Sequence, residues 1–182
     1  MRRLLSGFLA GMCATAPMTM VMVLVHRMLP GHEQAPLPPY QITMRATDHA
    51  GEGRRQNEAQ PQGDEQEAQE RVGLAIVYHF GFGAGAGALY GLLAKAIPAS
   101  GVAGGVIYGL IVWSTSYLGV LPATGLYQEP EREPVRRHAM MIAAHLVWGS
   151  VLGLLFQKLT QGENASRLAP RQHPTLPARP HT

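Results

Sequence analysis

Cysteine is almost missing from these 182 residues: Cys13 stands alone. That excludes an intrachain disulfide and any cysteine-ligated metal cluster. Charge is missing more selectively. The 15 basic and 12 acidic residues fall almost entirely outside four stretches, 4–25, 72–94, 102–121 and 139–156. None of the four contains a carboxylate. Serine–histidine chemistry inside them therefore lacks its acidic partner. A metal site there lacks a carboxylate ligand, and no His-x-x-x-His pair occurs to replace it. No Gly-Lys is followed by Ser or Thr, so there is no phosphate loop of the Walker type. The net charge of +3 does not point to nucleic acid, because the basic residues are scattered at the ends of the apolar stretches and in the tail. Flanking positive charge of this kind is ordinary beside a membrane.

What is present is apolar length. A hydrocarbon core about 30 Å thick is crossed by about 20 residues of helix, and all four stretches approach that length. Soluble helices normally show a polar face; these do not. The sequence predicts an all-α membrane protein, a four-transmembrane-helix bundle with tight glycine-mediated packing. The spans are expected at about 4–27, 72–97, 101–121 and 136–158, within one domain, 1–160. The first, beginning MRRLLSGFLAG, imitates a signal peptide. Its apolar run is longer than a signal core, and Pro17 follows the mock cleavage site, so a retained span is expected. Pro17 removes a backbone donor, and Thr15 and Thr19 flank it to bond the freed carbonyls.

A polar loop, 30–71, separates the first two spans. It opens on the stiff run Pro36-Leu37-Pro38-Pro39, and a short interfacial helix is expected from Gln41. Asp64–Arg71 holds strong helix formers that extend the second span outward. Pro98 ends that span, and a tight turn pairs it with the third as an antiparallel hairpin. The proline-rich tail, 161–182, is expected to be disordered.

Residues 79–91 read HFGFGAGAGALYG. A dinucleotide fingerprint needs Gly-x-Gly-x-x-Gly between a strand and a helix. Starting from Gly81, Gly83 or Gly85, the sixth position is Ala86, Ala88 or Tyr90, so the register fails. Spacing by four fits instead, as it stacks residues on one helix face. Small residues so spaced let helix backbones approach closely in lipid. The device recurs as Gly7/Gly11, Gly81/Gly85, Gly83/Gly87/Gly91, Gly101/Gly105/Gly109 and Gly149/Gly153. A flexible pore-lining helix is the rival explanation. An aromatic beside a glycine also recurs, at Tyr90-Gly91, Tyr108-Gly109 and Trp148-Gly149, which suits knob-and-notch packing.

Polar residues within spans carry the candidate site. His79 lies eight residues after Arg71, and His145 eight after Arg137. At about 1.5 Å per residue, both sit about 12 Å below the same charged level. Thr19 is eight residues before Arg27 on an antiparallel span, at similar depth. Ser114, Thr115, Ser116 and Tyr117 arrive there from the third span. A polar layer is expected in the half of the bundle beside the longer loops. It either hydrogen-bonds helices together or serves a proton-responsive or ligand-binding role through its histidines.

Several of these residues together resemble the YagU-like family of bacterial inner-membrane proteins, whose biochemical function is unknown. They are Pro36-Leu37-Pro38-Pro39; His79, Tyr90 and Pro98; Gly101, Gly105, Val112, Ser116 and Tyr117; and His145-Leu146-Val147-Trp148. Tyr40 stands where a basic residue is expected, and Trp113 where a histidine is expected. The resemblance implies an inner-membrane location and supplies no reaction. No enzyme activity, cofactor or metal is expected. The expected partners are the lipid bilayer and a second copy of the chain, with no nucleic acid. A structural or interaction protein is the first functional expectation. A small transporter, channel or pH-responsive module is the second. The side bearing Arg2, Arg3, Lys95 and Lys158 is short and dense in basic residues, so both termini are expected in the cytoplasm.

Overall fold

The computed structural model describes residues 1–29, 39–40, 42–45, 64–124 and 135–168. Four long helices carry the chain: α1 (Arg2–Met28), α2 (Asp64–Leu93), α3 (Gly101–Ser114) and α4 (Val135–Leu168). Beyond Ser114, α3 passes without a break into a π-helical segment, Thr115–Val120, and a final turn, Leu121–Ala123. Each contributes a stretch long and apolar enough to cross a membrane: Arg2–Met28, Val72–Leu93, Gly101–Val120 and Val135–Gln161. Met20, Val77, Leu92 and Leu118 are each more than half exposed, an exterior that suits hydrocarbon and not water. The protein is an all-α, four-helix, multi-pass membrane protein.

The helices pair as α1 with α2 and α3 with α4, and α1 against α4 joins the pairs. Glycine sets both pairings. A Cβ on Gly87 would lie 2.6 Å from Gly11 Cα, and one on Gly105 would lie 2.8 Å from Gly153 Cα. Both are far inside ordinary carbon contact, so only glycine permits the approach. Gly7 and Gly91 continue the first seam; Gly101, Gly109 and Gly149 continue the second. Gly101 also has φ +59°, which lets it open α3 directly after the turn.

Three bonds and a ring cluster fill the centre. Trp148 Nε1 donates to Gly11 O across α4 and α1 (3.2 Å). Tyr108 Oη donates to Ala86 O across α3 and α2 (2.8 Å). Thr15 Oγ1 donates to Gly11 O within α1 (2.9 Å). Tyr90 packs on Tyr108 and Phe156, with ring centroids 5.1 and 5.2 Å away, and Tyr108 on Trp148 at 6.2 Å. The aromatics that sit beside glycines in sequence thus meet one another where glycines bring the backbones together.

The structure corrects several expectations. A Cβ at Gly81 or Gly85 would meet nothing within 4 Å; both face outward, opposite the seam glycines of the same helix. α2 and α3, consecutive in the chain, barely touch, because the glycine seams direct each to a different partner. α2 ends at Leu93, short of 97, where Ala96 N–H closes a tight turn on Leu93 O (2.8 Å). Pro98 disfavours helical conformation only in Ile97, the residue before it, so it keeps the helix from resuming but does not set the stop at Leu93. The carbonyl that Pro17 frees is that of Cys13, yet Thr15 bonds Gly11 O and Thr19 bonds Thr15 O. α4 runs on to Leu168, into the stretch expected to be disordered. The expected short helix after the prolines is there, as residues 39–40 and 42–45 are helical. Gln41, where that helix is expected to begin, and the stretches 30–38, 46–63, 125–134 and 169–182 lie outside the described residues.

Candidate functional site

The glycine seams occupy the half of the bundle nearest the Pro98 turn. In the other half the helices line a partly open cavity of about 310 Å³. α1 contributes Thr15, Met18 and Met22 to its wall, and α2 contributes Tyr78, His79, Phe82 and Gly83. From α3 and its π-helical continuation come Val112, Trp113, Ser116, Tyr117 and Val120. α4 adds Met141, His145 and Trp148, while Pro39, Ile42 and Thr43 cover the end beside the long loop. Thr43 is buried there, and its Oγ1 donates to Pro39 O at 2.8 Å.

The depth arithmetic brings together His79, His145, Ser116 and Tyr117, and these four share the cavity. It fails for the other three. Thr19 turns back to its own helix and donates to Thr15 O (2.8 Å). Ser114 Oγ does the same to Ile111 O (3.1 Å), and Thr115 is exposed. Equal depth does not mean equal facing: at about 100° per residue, four consecutive positions cannot share one face. Thr15, Trp113, Trp148 and Thr43 were missed as wall residues. Two of them, Thr15 and Trp113, had a signal in the sequence. Thr15 continues the Gly7/Gly11 row at a spacing of four, and Trp113 precedes Tyr117 by four. The Trp113 and Tyr117 rings stack, with centroids 6.0 Å apart and planes 18° from parallel.

The polar atoms are arranged unevenly. His145 Nδ1 lies 2.8 Å from Met141 O. A carbonyl only accepts, so Nδ1 carries the hydrogen, and Nε2 of the neutral ring is an acceptor. His79 Nε2 and Trp113 Nε1 are buried and have no hydrogen-bond partner among the described residues. Such orphaned groups are uncommon and expensive in a native interior. Among the described residues the wall contains no Asp, Glu, Lys or Arg. Among the described residues, no group of three His, Cys, Asp or Glu side chains could hold a metal ion. The site therefore offers apolar volume and aromatic surface, which equip it to bind an apolar molecule, with the two orphaned nitrogens close by but exposing no surface to it.

No curated protein matches the chain, and no solved structure does. The match to a known family spans residues 19–154, from the second half of α1 to the seam of α4, and takes in every helix that walls the cavity. The chain belongs to the DUF1440 family, described as proteins of unknown function.

Proposed function

We propose that this protein is a non-enzymatic membrane module that binds a small apolar molecule in the cavity between its helices. Of the two roles expected from the sequence, this is the second, the transporter-like or ligand-responsive one. A single observation carries it: His79 of α2 and His145 of α4 meet at one cavity large enough for a ligand. A 150 Å³ apolar cavity holds benzene, so about 310 Å³ holds about a dozen non-hydrogen atoms. The purely structural role is the weaker reading. There, the polar layer would hydrogen-bond one helix to another. The bonds of Thr15, Thr19, Ser114 and His145 all return to their own helix, the local pattern open to any such side chain.

Thermal unfolding in nanodiscs tests the reading, with naphthalene as probe. Saturable stabilisation of about 1.4 kcal/mol is expected at ten times Kd, and it should vanish in the cavity-filling variant S116F. If naphthalene and similar probes leave wild type unshifted, the cavity is not a ligand site.

The setting proposed is the bacterial inner membrane, in keeping with the YagU-like resemblance, with both termini in the cytoplasm. Reporter fusions at each terminus check the orientation. A second copy of the chain is the proposed protein partner, for which Gly81 and Gly85 leave an open face on α2.

A further inference from the structure

The cavity opens where α2 and α3 part. Tyr78 and Phe82 on α2, and Val120 beyond α3, line it while being more than half exposed. All three belong to membrane spans, so the surface they expose faces hydrocarbon. A ligand using this gap arrives sideways from the bilayer and can leave a tail there. Among the described residues the wall is neutral: it has no basic residue to pair with a fatty-acid carboxylate or a phosphate, and no acidic residue for a cation. A bare alkane would leave His79 Nε2 and Trp113 Nε1 as they are, buried and unpartnered. Trp113 Nε1 can only donate, and His79 Nε2 donates in the tautomer that places its hydrogen there. Both are satisfied by a ligand that brings acceptors. Neither nitrogen exposes surface, so each ring must turn about its Cβ–Cγ bond to present it. The remaining wall is rich in flat side chains: Trp148, Tyr117 and Phe82 stand around the same volume, and aromatic faces favour a flat guest.

We infer that the cavity binds the head of a lipid-soluble quinone: a flat, neutral ring with carbonyl oxygens, its apolar tail passing between α2 and α3 into the bilayer. This rests on the cavity being a ligand site, and it names the ligand's class. Trp113 and His79 donate to the ring oxygens, and His145 Nε2 accepts from the hydroxyl of the reduced form. No electron transfer is assigned to the protein.

Trp113 and Trp148 are the only tryptophans in the chain, and both line the cavity, so intrinsic fluorescence reports from inside the site. The test uses the full chain in nanodiscs, titrated with decylubiquinone or with decylbenzene, which matches the tail and ring but has no oxygen. Tryptophan quenching and thermal unfolding are read together. Saturable binding of decylubiquinone is expected, at least several-fold tighter than decylbenzene. In H79F and in W113F the affinity for decylubiquinone should fall roughly 2- to 12-fold, the range for one neutral hydrogen bond, with decylbenzene unaffected. Both substitutions remove an unsatisfied buried nitrogen, so the unliganded variants should be at least as stable as wild type. Should one of them unfold, the other and the comparison of the two probes on wild type still decide. Equal binding of the two probes would overturn the quinone inference and leave the cavity reading standing. Absence of saturable binding by either probe, with naphthalene also inert, would overturn both. Tighter binding of palmitate than of decylubiquinone would replace the quinone with a fatty acid.

Discussion

Gly85 and Gly87 are two residues apart on one helix and should answer the same substitution with opposite signs. Alanine at 87 would place its Cβ 2.6 Å from Gly11 Cα and 2.9 Å from Gly11 N, and against Gly7 O. All of these are backbone atoms and cannot rotate away. Carbon atoms rest about 3.5–4.0 Å apart, so α1 and α2 would have to separate by about 1 Å. Overpacking of this kind destabilises by about 1–3 kcal/mol. Alanine at 85 would meet nothing within 4 Å. Both variants share the gain in helix propensity, about 1 kcal/mol, so it cancels when they are compared. G87A is expected to be less stable than G85A by about 1–3 kcal/mol, with G85A at or above wild type. Equilibrium unfolding in mixed micelles, titrated with dodecyl sulfate and followed by tryptophan fluorescence, measures the difference. Equal stabilities, or G85A as the weaker protein, would refute the assignment of the two faces.

Other outcomes follow from single contacts. W148F removes the donor that reaches Gly11 O from α4 and should destabilise by about 1 kcal/mol, with Trp113 still reporting the transition. Y108F removes the bond to Ala86 O, a link between two helices that otherwise barely meet. It should cost a similar amount, about 0.5–1.5 kcal/mol, and speed backbone hydrogen exchange along α2. Cys13 is exposed near the middle of α1, so it faces lipid. A membrane-impermeant maleimide should leave it unlabelled in intact membranes and label it fully once the protein is unfolded in detergent.

The spans were legible because hydrocarbon thickness fixes their length and excludes charge, and both constraints are written locally in the chain. Depth was legible for the same reason: residue rise is constant, so His79 and His145 could be placed at one level from their distance to flanking arginines. Facing was not. Gly81/Gly85 and Gly83/Gly87 have identical spacing, and in lipid no polar stripe marks which row points inward. The rows differ only in what α1 presents to them, which is a tertiary fact. The same gap misassigned Thr19 and Ser114, which lie at the right height and turn back to their own helices. Neighbourhood was misread as well. A tight turn at Pro98 suggested that α2 and α3 pack together, while glycines distant in sequence bind each to another partner. The cavity follows from that mismatch between order along the chain and order in space.

The π-helical segment Thr115–Val120 has a consequence for how such a site can be acquired. A π turn holds one residue more than an α turn. An extra residue in an unbroken α-helix would rotate everything beyond it by about 100°; here the surplus is absorbed where it occurs. The segment therefore behaves as a one-residue insertion confined to the cavity end of the third span. Deleting Gly119, whose Cβ would meet nothing within 4 Å, would return the segment to an α-helix and reset the wall around Ser116 and Tyr117. The seam at Gly101, Gly105 and Gly109 lies upstream and would be untouched. One codon thus separates a bundle with this pocket wall from one without it, so the cavity can change in evolution while the packing of the helices stays fixed.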